Sequence, residues 1–140
     1  MNVLTLHWCN ISVVVGVDAE LNMWRVNDVN QTEDRIVSQW REVSADERHQ
    51  LRDGVNELLR PLGFETSLLV IRRANSLALY FICMTLAALM SQRDQWCSHQ
   101  LRGTVEKLFI FLSRATQTVR VRRMTWPLTD CFNFFTSVQG

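Results

Sequence analysis

ANSLALYFICMTLAALMSQ, residues 74–92, is the stretch on which the fold turns. Nineteen consecutive residues between Arg73 and Arg93 carry no charge. Wound as a helix, Leu77, Leu79, Phe81, Ile82, Leu86, Leu89 and Met90 would occupy all of its faces, which is what the centre of a small bundle requires. The length also touches the lower limit of a membrane span. Asn75, Ser76, Thr85, Ser91 and Gln92, and the lack of a second such segment, favour the bundle. The run is read as a buried central helix.

Working outward, the grammar stays helical. Thr32 is placed to cap a short helix through Val43, with Ile36, Val37 and Trp40 as its apolar stripe. Ser44-Ala45-Asp46-Glu47 reads as a capping box opening a helix to Arg60, which stops before Pro61 and turns at Leu62-Gly63. Thr66 or Ser67 then caps the central element. On the other side, Asp94 or Ser98 starts a piece broken near Gly103. Thr104 caps a helix with Val105, Leu108, Phe109, Phe111, Leu112 and Ala115 on one face, and Arg114, Arg120, Arg122 and Arg123 crowd its end.

The two termini read differently. Residues 1–17 hold no ionisable group except His7, and the alternation around Val3, Thr5 and His7 with Val13-Val14-Val15 suits an extended arm or short strands. They lack the basic start and the clean cleavage site of a signal peptide. Residues 124–140 form an aromatic segment with a single charge, Asp130. The expected fold is therefore mainly all-α: one domain, 1–140, of about five or six helices around the central one, with an extended or short β N-terminal arm. Leaving both termini exposed would create large apolar patches, so one of them is expected in an interface with a second copy or a partner.

Charge and composition bound the function. Fourteen of the fifteen cationic residues are arginine, with Lys107 the exception. Arginine keeps its charge and forks onto carboxylates and phosphates, whereas lysine is the residue that ubiquitin ligases modify. Coding bias, an anion-binding surface, or work beside ubiquitin ligases would each give this composition. Residues 18–65 hold eleven acids and six arginines, while residues 66–123 hold nine cations and two acids, so the halves are complementary at −5 and +7.

Catalytic motifs are missing: no P-loop, GxGxxG, GxSxG or HExxH occurs, and no histidine has the sequence context of a base. His7 with Cys9 and Cys97 with His99 form a mirrored pair of the right ligand types for zinc, but Cys97 and His99 would diverge on a helix, so no metal is expected. Cys9, Cys83, Cys97 and Cys131 are far apart, and a thiol inside an apolar helix favours reduced cysteines in the cytoplasm or nucleus. The sequons at Asn10 and Asn30 keep a secreted helical ligand with two disulfides as a third reading. The second is an arginine-based nucleic-acid binder, which the sequence pI of 7.7 disfavours.

The leading expectation is a non-enzymatic, cofactor-free protein-interaction module. It would be an adaptor or antagonist, in the manner of a lysine-depleted host-interaction protein, acting on a partner acidic at the contact or as a homodimer. The residues expected to touch that partner are Arg114, Arg120, Arg122, Arg123, Trp126, Phe132, Phe135 and Trp8.

Overall fold

The computed structural model describes residues 13–23, 26–45, 50–114 and 119–127. It overturns the all-α expectation. Four helices lie with a four-stranded antiparallel sheet, in the order β1 (Val13–Asn22), α1 (Val26–Ser44), α2 (Gln50–Leu58), a 3-10 turn (Arg60–Leu62), β2 (Thr66–Arg73), β3 (Leu77–Cys83), α3 (Leu86–Cys97), α4 (Gln100–Ser113) and β4 (Arg120–Thr125). The strand order across the sheet is β2-β3-β1-β4.

The uncharged run is not one helix but two elements. Its first part is β3, the inner strand of the hairpin with β2, and its second part is most of α3. The reason is local. Tyr80-Phe81-Ile82 is a run of strand formers. Thr85, in an extended conformation, ends the strand and caps α3 by accepting the Ala88 N–H at 3.1 Å. Neighbouring strands on both sides bury Leu77, Leu79, Phe81 and Cys83 against the helices. An inner strand therefore needs no more charge than a buried helix does, and short apolar runs do not distinguish the two.

β1 follows the period of two, with Val15, Val17, Ala19 and Leu21 buried and the residues between them facing the other side. Residues 13–17 of the predicted arm are thus in the sheet, while the rest of the arm lies outside the described residues. Gly16 stands opposite Tyr80, and a Cβ there would come within 3.2 Å of the Tyr80 ring. The glycine lets the ring lie across the strand.

The helices pack on one face of this sheet. α4 is the true central helix: it contacts α1, α2, α3 and β4, and it buries Leu101, Val105, Leu108, Phe109 and Leu112. It runs unbroken through Gly103. It joins α3 through Ser98 and the left-handed His99 (φ 66°), and Arg114 ends it in the same conformation (φ 50°). Thr104 lies inside α4, its hydroxyl donating to the Gln100 carbonyl at 3.3 Å. α1 is longer than predicted, so Thr32 is a buried interior residue, and Ser44 is its last residue, not the cap of the next helix. Of the predicted apolar stripe, Ile36 and Trp40 are buried and Val37 is partly buried, and Val43 joins them in the core.

Gly54 in α2 has a packing reason. A Cβ there would meet the Phe111 ring at 2.7 Å, so the glycine allows α2 to approach α4 closely. Among the described residues no helix is long and apolar enough to cross a membrane.

Candidate interaction edge

Arg120, Arg122 and Arg123 do not follow a helix. They lie on β4, an edge strand that pairs with β1 and has no strand on its outer side among the described residues. Alternation turns Val121 inward, and the preceding Val119 is buried as well. Glu20 pairs with Arg123, Leu21 with Val121 and Asn22 with Arg120, so Arg122 is the extra residue of a bulge. All three arginines are exposed.

The strand that carries them is pinned from below. Glu106 on α4 accepts the Val121 N–H at 2.9 Å, beside the bulge where the ladder shifts. Just past the strand, the Trp126 indole N–H donates to Gln92 Oε1 at 2.8 Å, and the ring stacks on Trp96 with centroids 6.1 Å apart. Trp126 is 2% exposed, so it serves as a core anchor of β4 and offers no surface to a partner.

Two of the acids from the negative half, Glu33 and Asp34, are engaged elsewhere. Arg73 on β2 pairs with Asp34 and, at 3.4 Å, with Glu33, and it donates to Asn30 Oδ1 at 3.3 Å. This cluster ties β2 to α1. Burial pushes the Glu33 carboxyl above the usual carboxylate range, an effect that Arg73 opposes and Asp34 and Glu20 reinforce. The ion pairs among the described residues join Arg60 to Glu57, Arg73 to Glu33 and Asp34, and Arg93 to Asp94. None includes Arg114, Arg120, Arg122 or Arg123.

The remaining predicted site residues scatter. Arg114 is exposed at the end of α4, whereas Trp8, Phe132 and Phe135 lie outside the described residues, as do His7 and Cys9. Cys97 ends α3 and His99 precedes α4, and no group of three or more metal-ligating side chains occurs among the described residues. Cys83 and Cys97 are free thiols. Cys83 is fully buried in β3, where burial raises its pKa while a 3.9 Å hydrogen bond from Thr66 lowers it.

Sequence reading missed two things. It put the arginines on a helix end, although Arg120-Val121-Arg122 alternates polar and apolar as an edge strand does. It also missed the outer side of β2, described below. No protein-family model, curated protein or solved structure matches the chain.

Proposed function

We propose that this chain is a non-enzymatic protein-interaction module that works inside the cell and grips an acidic partner along the β4 edge. The observation that carries this reading is the set of three exposed arginines on one pinned edge strand, in no ion pair among the described residues. Glu106 and Trp126 hold the backbone of the strand, so the guanidinium groups are carried on a fixed edge from which they can fork onto carboxylates. The free, buried thiol of Cys83 supports a reducing compartment over a disulfide-linked secreted ligand. Nucleic acid is the weaker occupant, because Trp126, the aromatic next to the arginines, is stacked inside and offers no face to a base.

Charge and a bulge on an edge strand also discourage edge-to-edge aggregation, and one experiment separates the two roles. Replacing Arg120, Arg122 and Arg123 by lysine keeps charge and edge protection but removes the fork. Affinity capture with quantitative mass spectrometry should show partners lost from the triple variant at an unchanged melting temperature. Partners retained at native levels would leave the arginines with edge protection alone.

A further inference from the structure

The opposite edge of the sheet has a different construction. β2 has no strand on its outer side among the described residues, and α1 runs beside it. Between them lies a groove of about 670 Å³, bordered by Val37, Trp40 and Arg41 of α1 and by Leu69 to Arg73. Trp40, Ser44 and Leu69 also border a second cavity of about 330 Å³, which extends toward Val55 and Leu59 beneath α2. The two share Trp40, Ser44 and Leu69 and together make a trough beside β2, whose eight residues span about 26 Å at the usual rise.

Val37, Trp40, Leu69 and Ile71 give the trough its apolar side chains, beside arginines at its border. Leu69 is the extra residue of a bulge between Leu68 and Val70, and it stands 50% exposed. Arg41 and Arg52 border the trough and are exposed, Arg52 donating to the Ser44 carbonyl at 3.0 Å, whereas the Arg72 guanidinium lies over the Tyr80 ring, 5.7 Å from its centroid. Asp34 is the acid that lines it, and its carboxylate is taken by Arg73. An unpaired strand edge, apolar side chains at Val37, Trp40 and Leu69 and two arginines at the rim ask for an extended chain with alternating apolar and acidic side chains.

We infer that the trough between β2 and α1 is a second docking site, which takes an extended acidic peptide segment of another protein as a fifth strand on β2. Main-chain hydrogen bonds to the outer side of β2 hold the segment. Its apolar side chains sit on Leu69 and Trp40, and its carboxylates meet Arg41 and Arg52. The site is independent of the β4 arginines, which lie three strands away across the sheet.

The test pans a phage library of random twelve-residue peptides against the full chain and measures amide hydrogen exchange with an enriched synthetic peptide bound. Enriched sequences should alternate apolar residues with Asp or Glu, and the bound peptide should slow exchange in β2 but not in β4. Leu69→Glu should weaken the peptide at least tenfold, and Arg41→Glu, on exposed helix surface, should do the same should the first variant unfold. Three outcomes would overturn the proposal: no enrichment above background, protection mapping away from β2, or a chain that dimerises in light scattering through β2 and so fills the edge with its own copy.

Discussion

The two edge strands of this sheet occupy equivalent places and differ in the side chain that each bulge presents. β4 presents Arg120, Arg122 and Arg123, its bulge residue is charged, and a helix carboxylate takes one of its amides. β2 also has a bulge, but the extra residue is Leu69, and a helix stands alongside without covering it. A bulge is thus a way of aiming one side chain out of the sheet, and the identity of that side chain decides the outcome. With arginine the edge repels other strands and attracts acids; with leucine beside a tryptophan floor it can accept a strand.

The comparison depends on β3 and β1 as a common frame, so the largest effect should come from breaking that frame. Leu79→Asp places a carboxylate in the fully buried middle of β3, and it should cost more than about 4 kcal/mol and unfold both edges together. Circular dichroism at 25 °C checks this. A folded variant that lost only one edge would mean that the two sides are separately stable.

Trp126→Phe should loosen one edge selectively. It keeps the stacking on Trp96 but removes the hydrogen bond to Gln92, whose Nε2 is already buried without a partner. A loss of about 2 kcal/mol is expected in urea unfolding, with faster amide exchange in β4 than in β2. Equal acceleration in both strands would contradict the assignment of Trp126 as the β4 anchor.

Glu33→Gln sharpens the β2 side. Because burial raises the Glu33 pKa in the folded state, the fold holds this proton more tightly than the unfolded chain does. The contribution favours the native state below the ordinary value of 4.5 and is lost as pH rises through the raised folded value. Thermal melts should show the Gln variant at least as stable as the native chain at pH 7, with the fall in stability above pH 4.5 flattened. A strongly destabilised variant at pH 7 would mean that pairing with Arg73 outweighs burial.

The smallest effect is expected at Arg114, which holds a left-handed conformation at the end of α4 (φ 50°). Arg114→Gly relieves that strain and should raise stability by about 0.5 kcal/mol, leaving partner capture by the β4 edge unchanged. Lost capture would enlarge the contact to include the helix end.

The sequence was clearest where one periodicity ruled. Ile36 and Trp40 of the α1 stripe and the broad face of α4 were legible because a 3.6-residue period fits a helix and not a strand. Residues 74–92 misled because an inner strand followed at once by a half-buried helix erases both periods. Leu77 to Cys83 are covered by strands on either side, and Ala88 and Leu89 by the core. Three of the β4 arginines were picked out by their charge alone, while their strand depends on pairing with residues a hundred positions earlier. Leu69 left no signal, since a bulge is set by register with β3 and Leu68-Leu69-Val70-Ile71 reads as any buried run.

Cys83 gives the molecule an internal clock. Its thiol lies in β3 at 0% exposure, whereas Cys97 ends α3 in contact with water. A thiol reagent added in a short pulse will mark Cys97 at once and Cys83 when β3 parts from its neighbours, because only an exposed thiolate can attack the reagent. Peptide-resolved mass spectrometry of the two positions reads the opening rate of the sheet against a reference in the same chain. An occupant of either edge that staples β3 in place should stop that clock without touching the reference.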